Sequence, residues 1–267
     1  MNVLPQSPRI AAVLTCHNRR AKTSACLLAL SRQELPQGTI SVFLVDDGST
    51  DGTSTAVQEI FPEARIISGD GSLFWCGGMR VAWKEAAKSD PDYYLLLNDD
   101  TTLFPEAVSA LLAICADRRP PTIALGAVCD PVTGEWTYGG VDCDHKNGNL
   151  CRTMNANCAL VPREVFNAIG GFHPAYTHGM GDFDYGYTAR RKGFQLIETA
   201  EFVGTCSQNN KEGTWQDVKL DRWTRLKKLC SPKGLPFIEW LCYTRRNAGP
   251  FWILYLFSPY IKVLLGK

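Results

Sequence analysis

A chain of 267 residues, 45% of them apolar, is long enough for one large α/β domain or two small ones with an ample core. Its formal charge of +1 excludes a global field for nucleic acid, so no nucleic-acid partner is expected and any anion site must be local.

In chain order, residues 9–15 read as a first strand and Cys16-His17-Asn18-Arg19 as a turn. Residues 21–32 then carry apolar side chains at helical spacing. Residues 40–45 form a second apolar strand that ends in Asp46-Asp47-Gly48-Ser49-Thr50-Asp51-Gly52-Thr53. Glycines and short polar side chains make this a tight loop, and Thr50 or Asp51 can cap the helix that runs to Phe61. Residues 64–68 are a short third strand. The glycine-rich stretch 69–78 also holds Leu73, Phe74 and Trp75, and a helix is expected from about Met79 to Lys88.

Residues 92–97 are an apolar run of one strand's length that ends in Asn98-Asp99-Asp100-Thr101. The alternation up to this point predicts a mostly parallel sheet with right-handed crossovers. Ligands of such sheets bind beyond the carboxyl ends of the strands, where three polar strand ends would converge. Two adjacent carboxylates in a low-dielectric pocket repel unless a cation or donor network compensates them. Hard oxygen ligands suit Mg²⁺ or Mn²⁺, completed by water and substrate phosphates. The plainer alternative is an acid pair capping the helix that begins near Phe104-Pro105-Glu106.

A helix over 103–118 and a strand over 122–128 follow. Residues 131–153 read as a loop or irregular hairpin, 155–161 as a strand, and Pro162-Arg163-Glu164 as the start of a short helix. A helix over 182–192 carries Asp182 and Asp184 in its first turn, where the dipole favours acids. Residues 194–197 return to the sheet, and 215–229 read as a basic, Trp-containing helix. The tail, 237–265, is aromatic and basic. Pro250 and Pro259 interrupt it, and no stretch of about 18 uncharged apolar residues spans a bilayer. Trp and Tyr beside Arg and Lys suit a membrane interface, and a helical pair packed on the catalytic part or on another subunit is the alternative.

The cysteines number eleven, without a Cys-x-x-Cys pair, and residues 1–9 are polar rather than signal-like. They are read as mostly reduced, in a cytoplasmic setting. Cys143, His145, Cys151 and Cys158 as a zinc site match no common spacing.

Thr15-Cys16-His17-Asn18-Arg19, Val45 to Thr53, Leu97-Asn98-Asp99-Asp100-Thr101 and Gly181-Asp182-Phe183-Asp184-Tyr185 stand in the order of the family 2 glycosyltransferases. The chain resembles these inverting enzymes of the GT-A fold over about residues 9–210, and within them most resembles the rhamnosyltransferase-type branch. The resemblance implies a nucleotide-sugar-binding and catalytic domain over 1–210 and a basic, aromatic-rich helical extension over 211–267. It implies that Thr15, His17, Asn18 and Arg19 cradle a nucleobase and that Asp47, with Asp46 close behind, accepts from the base N3–H. Asp100 would be the direct ligand of Mg²⁺ or Mn²⁺, with Asn98 or Asp99 toward ribose or a water. Asn98 replaces the first acid of the family's Asp-x-Asp, which lowers the local negative charge.

Asp182 matches the catalytic acid, with Gly181 where Glu is common. It would take a proton from an acceptor hydroxyl as that oxygen attacks the anomeric carbon, help worth about 10²–10⁴-fold. Burial and a neighbouring carboxylate such as Asp184 would raise its proton affinity. Many relatives place a metal-ligating His where this chain reads Glu201 to Cys206, so His178 is the candidate metal or phosphate contact instead. Trp75 would stack on a sugar face and Arg80 would pair with diphosphate, with Arg190 and Arg191 as alternatives. The implied substrates are a dTDP- or UDP-sugar, rhamnose by preference, and a bacterial surface glycan or its lipid-linked precursor. A sugar nucleotidyltransferase and a non-catalytic nucleotide-sugar or glycan-binding module are the alternatives. A dehydrogenase is disfavoured, since no Gly-x-Gly-x-x-Gly follows the first strand.

Overall fold

The structure, a computed structural model, describes residues 7–35, 37–116 and 118–266. Its first half is β1 (Arg9–Cys16), α1 (Arg20–Ser31), β2 (Thr39–Asp46), α2 (Thr53–Ile60), β3 (Arg65–Ser68), α3 (Phe74–Ala87) and β4 (Tyr93–Leu97). There follow β5 (Thr102–Leu103), α4 (Ala107–Cys115), β6 (Thr122–Leu125), β7 (Val128–Cys129), β8 (Trp136–Tyr138), β9 (Gly140–Val141), β10 (Thr153–Met154) and β11 (Cys158–Pro162). Then come α5 (Arg163–Ile169), α6 (Gly181–Arg191), β12 (Gln195–Glu198), β13 (Gly204–Thr205), α7 (Arg222–Leu229), α8 (Phe237–Asn247) and α9 (Trp252–Leu264).

One seven-stranded sheet runs β12-β6-β11-β4-β1-β2-β3. β11 is antiparallel to both β4 and β6, and the other neighbouring pairs are parallel. Every residue of β4 is buried, as its unbroken apolar run requires of a strand covered on both faces. Side chains alternate between two cores: Ile10, Ala12, Leu14, Leu95 and Leu97 lie on one side, and Ala11, Val13, Tyr94 and Leu96 on the other. In the second core Trp83 touches Tyr94, Phe166, Phe172 and Tyr185 at centroid distances of 5.2–5.7 Å, which seats α6 against α3 and the sheet.

Register decides the site. Cys16 pairs with Asp46, Asp46 with Ser68, and Val13 with Leu96. Continued by two residues, the last pairing brings Asn98 level with Thr15, so the polar ends of β1, β2 and β4 share one rim.

Three expected elements differ. α3 starts at Phe74 rather than Met79, so Trp75 belongs to a helix. Its first turns are buried at Cys76, Gly77 and Gly78, and that packing overrides the poor helix propensity of glycine. α4 covers only Ala107–Cys115 of the expected 103–118. The basic helix covers only Arg222–Leu229, because the Asp221 carboxylate accepts from the backbone N–H groups of Trp223 and Thr224 and caps it there.

The cysteine expectation needs a correction as well. Cys143 and Cys151 form a disulfide, so these two are not reduced. Cys158 is buried on β11 in the other core, which dissolves the zinc group; among the described residues no group of three metal-ligating side chains is found.

The tail both packs and exposes. Arg246 donates to both oxygens of Asp184 at 2.8 and 3.0 Å, and the Asn247 side-chain amide adds a third bond at 2.8 Å. Glu239 accepts from the Thr177 N–H at 2.9 Å. α8 is thereby fastened to α6 and to the segment before it. On α9, Leu256 and Val263 face inward, while Leu254 is 70% exposed and Ile253, Phe257, Ile261 and Leu264 are exposed too. No helix among the described residues is long and apolar enough to cross a membrane.

Candidate active site

The turn after β1 and the loop after β2 hold each other. Asn18 takes a left-handed conformation at φ +50, which Asn tolerates better than most residues. Its N–H donates to Ser49 Oγ at 2.8 Å, and its side-chain oxygen accepts the Thr50 N–H at 2.8 Å. His17 Nδ1 lies 2.6 Å from the Asp47 carbonyl. Thr15 is buried beneath this turn.

Asp46 and Asp47 both carry loop backbone. Asp46 accepts the Ser49 N–H at 2.8 Å and the Ser54 hydroxyl. Asp47 accepts the N–H groups of Gly71 and Phe74, each at 2.9 Å, and so fixes the loop that opens α3. A carboxylate has about four lone-pair sites, so each acid keeps acceptor capacity beyond these bonds.

At the end of β4 the three polar residues point to different partners. Asn98 Oδ1 accepts from the Trp75 indole at 2.6 Å, which ties Trp75 to the rim. Asp99 is buried and meets Arg19 at 2.8 Å and the Thr23 hydroxyl at 3.3 Å. Burial pushes its carboxyl up from the ordinary value, with the Arg19 guanidinium pulling the other way. Asp100 meets the same Arg19 nitrogen at 3.0 Å, Lys22 at 3.7 Å and the Cys206 thiol at 3.7 Å. Lys22 and Thr23 went unnoticed in the sequence. Arg19, Lys22 and Thr23 lie three and four positions apart across the start of α1, spacings that put side chains on one helix face.

Asp182 sits in the first turn of α6, 6% exposed. Its oxygens accept the Phe183 N–H at 2.9 Å and the Ala156 N–H at 3.2 Å. Burial pushes it up to about 6 against the pull of those donors. Asp184 is not the cause: it lies two residues on and is held by Arg246 and Asn247. Gly181 occupies a place where any side chain would collide, its ideal Cβ lying 2.3 Å from the sulfur of Cys76.

The segment entering β11 ties these groups to one rim. Ala156 holds Asp182, the next residue's carbonyl accepts the Asn98 N–H at 3.0 Å, and the Asn157 side chain reaches Cys206 at 3.4 Å. Cys206 in turn touches Asp100. Asp182 and Asp100 are thus linked through the 156–157 segment and Cys206, and Asp47 holds the loop that opens α3 at the same end of the sheet.

Residues 11–170, more than half of the chain, match the family described as Glycosyl transferase family 2. The chain belongs to that family. It is 23% identical to an N-acetylglucosaminyl-diphospho-decaprenol L-rhamnosyltransferase of Mycobacterium tuberculosis, a match covering 59% of this chain and 63% of that relative, under two thirds of its length. The mannosyltransferase PcManGT of Pyrobaculum calidifontis, solved with GDP-Man and Mn²⁺, superposes with a TM-score of 0.63 at 15% identity, over 99% of this chain and 76% of that one. Staphylococcus aureus TarS 1–349 with UDP-GlcNAc gives 0.58 at 14% identity, over 96% and 79%. The fold is GT-A-like.

In this family 2 glycosyltransferase, two expected diphosphate contacts have other partners. Arg80 donates to the carbonyls of Tyr176 and His173 and so fastens the segment before α6. Arg191 is bonded to Asn247 at 2.8 Å and to Thr188 at 2.8 Å. His178 has a buried Nδ1 without a partner among the described residues, its ring edge-on to Phe74 at 6.1 Å. Burial, then the cations of Lys233 and Arg19, push it down to about 4, so its imidazole is neutral near pH 7.

The donor set for a hard cation is thin. Asn98 offers its oxygen to Trp75, and Cys206, pushed up to about 11 chiefly by burial, stays a neutral, soft thiol. At the end of β4, Asp100 presents the more open carboxylate, since Asp99 is buried. A one-carboxylate site suits Mg²⁺ or Mn²⁺ only when substrate phosphates and water complete the shell, which is how these ions commonly bind.

Proposed function

We propose that this family 2 glycosyltransferase moves a sugar, rhamnose by preference, from a dTDP- or UDP-sugar to a hydroxyl of a bacterial surface glycan or its lipid-linked precursor, inverting the anomeric centre. The observation that carries it is Asp182: a buried carboxylate with no cation partner among the described residues, pushed up to about 6 and held by Ala156 at the same end of the sheet as the acids of β4. The rhamnosyl preference rests on the mycobacterial relative, whose name also supplies the lipid-linked acceptor class.

In this mechanism Asp182 takes the acceptor O–H proton while that oxygen bonds to the anomeric carbon. The bond from that carbon to the diphosphate oxygen breaks on the opposite face, and its electron pair leaves with the nucleotide. The turn over Thr15, His17, Asn18 and Arg19 borders the base, and Asp47, with lone pairs to spare, accepts from an imide N–H. Trp75, pinned by Asn98, presents its ring toward the sugar. A bound Mg²⁺ or Mn²⁺ at Asp100 would offset charge on the departing diphosphate, and Arg19 and Lys22 add positive charge beside it.

The apolar outer face of α9, flanked by Arg245 and Lys262 and free of acids, lies on an anionic membrane surface where a lipid-linked acceptor is delivered.

The test is a panel of thymidine, uridine and guanosine diphosphates and their sugars, with and without Mn²⁺, scored by thermal shift. A ligand at about 100 times its Kd adds roughly 2.7 kcal/mol. A flat response to thymidine and uridine diphosphates overturns the donor assignment. In Asp182→Asn, stabilisation by the donor should persist while transfer is lost; donor stabilisation with no transfer by the parent chain would favour a binding module.

A further inference from the structure

Beyond the edge strand β12, away from the nucleotide side of the crevice, lies a cavity of about 230 Å³ lined by Trp136, Gly140, Asp142, Cys143, His145 and Glu198. Glu198, the last residue of β12, is 5% exposed. Its Oε1 accepts from the Trp136 indole at 3.2 Å and from the Gly140 N–H at 2.8 Å. Its Oε2 has no hydrogen-bond partner among the described residues. That oxygen is not one of the fully buried unpartnered atoms, so it stays open to a donor from the cavity. Trp136 is 48% exposed, its N–H fixed by Glu198 while nearly half of the residue stays open.

The wall is built for this. A Cβ on Gly139, where φ is +153, would lie 2.2 Å from Glu198 Oε1. One on Gly140 would lie 2.2 and 2.3 Å from the bonded sulfurs of Cys151 and Cys143. Only glycine lets the 139–140 backbone close over the carboxylate and against the disulfide.

Its place relative to Asp182 follows from the sheet. Glu198 pairs with Leu125, and Leu125 with Ala159 on β11, so Glu198 lies at the same end of the sheet as the acids of β4. Ala156, which holds Asp182, precedes β11 by two residues, and the Asn155 N–H donates to the Gly139 carbonyl at 2.9 Å. At about 4.8 Å per strand, two strand steps separate β11 from β12 by roughly 10 Å. The cavity and the base therefore share the short link 139–156, with the cavity outboard.

We propose that this cavity is an acceptor-glycan subsite that takes an uncharged, polyhydroxylated sugar ring next to the one that is glycosylated. The inference rests on the transferase reading of Asp182. An open indole face packs against the C–H face of a pyranose, and Glu198 Oε2 accepts from a ring hydroxyl that has no other strong acceptor nearby. Asp142 at the mouth is paired with Arg152 at 3.7 Å, and Glu198 is the acid within the cavity that disfavours a phosphate or diphosphate there. The acceptor's glycan end enters this cavity, and any lipid diphosphate stays outside it.

The test uses the full chain with ¹⁵N-labelled tryptophan, whose seven indole signals include one assigned to Trp136 by its disappearance in Trp136→Phe. The probes are methyl rhamnosides, methyl N-acetylglucosaminides, their neutral disaccharides and N-acetylglucosamine 1-phosphate. At least one neutral glycoside should shift the Trp136 signal saturably, and the phosphate should bind more weakly than its neutral counterpart. Glu198→Gln, which keeps Oε1 but offers a donor at the open position, should weaken binding about tenfold or more, as should Trp136→Ala when its binding is read by titration calorimetry. Asp182→Asn should leave it unchanged. No shift across the neutral panel, or equal affinity in both cavity variants, overturns the subsite. A nucleotide thermal shift present without a Trp136 response sinks only this proposal, whereas a Trp136 response without any nucleotide shift sinks the donor assignment instead.

Discussion

Two groups of acids at one end of the sheet are compensated in different ways. After β2 and β4, Asp47 is held by two backbone N–H groups, and Asp99 and Asp100 share Arg19, with Lys22 beside them. At the start of α6, Asp182 has two backbone donors and, among the described residues, no cation partner, and burial raises it to about 6. The difference shows what each carboxylate is equipped to do. Acids compensated by fixed donors and cations anchor the loops around them. An acid buried without a cation accepts a proton near neutral pH, which is the property a general base needs. The same contrast recurs within α6, where Asp184 is paired with Arg246 and Asp182 is not.

The comparison breaks most visibly at Asp182. Asp182→Asn should lower transfer by about 10²–10⁴-fold, measured as sugar transferred under donor saturation. A drop under tenfold would assign the proton transfer elsewhere.

The pH dependence follows with its sign. The Asp182 carboxyl in the folded chain lies near 6, above its ordinary 3.8, so transfer should rise as pH climbs through about 6. Stability moves the other way. The folded state holds this proton more tightly than the unfolded one, so Asp182 lowers stability as pH rises from about 4 to about 6, and by about 3 kcal/mol above that window. Asp182→Asn should therefore gain in melting temperature relative to the parent between pH 4 and pH 8. A pH-independent difference would show that the burial effect is absent.

Arg246→Ala leaves buried Asp184 without its cation, with an expected loss of about 2–3 kcal/mol in denaturant unfolding. Combining it with Asp184→Asn should recover much of that loss, because the stranded charge is gone. Arg19 is partly exposed, so Arg19→Ala should cost less, about 1–2 kcal/mol. It should also increase the stimulation by Mn²⁺, since Asp100 loses a competing cation. Unchanged stimulation would separate Arg19 from the metal question. The smallest effect on the fold belongs to α9: Leu254→Ser with Ile261→Ser should change stability by less than about 0.5 kcal/mol per site while abolishing flotation with anionic vesicles.

Much of the fold was legible because its signals are local. The apolar runs before Asp46 and Asn98 end where β2 and β4 end, since a strand covered on both faces must be apolar and a ligand-binding rim must be polar. The start of α3 was not legible. Gly77 and Gly78 read as loop, and only their burial keeps them helical. Nor was the Cys143–Cys151 disulfide, which depends on β9 pairing antiparallel with β10 to bring the two cysteines together. On the site, the four motifs marked the acids, but not which partner each acid has. Arg80, read as a diphosphate contact, and Arg191, its alternative, are bonded to the segments around α6.

By itself the chain's order of residues determined the alternation of strands and helices, the polar rim and the identity of its acids, because hydrophobic period and turn chemistry act over a few neighbours. Only the tertiary structure decided which of those acids is left without a cation. Asp182 and Asp184 are two positions apart, about 200° around the helix, so one faces Ala156 and the crevice while the other faces Arg246 of the tail. The charge state of a carboxylate depends on the solvent and charges within a few ångströms, and here distant segments of the chain supply them.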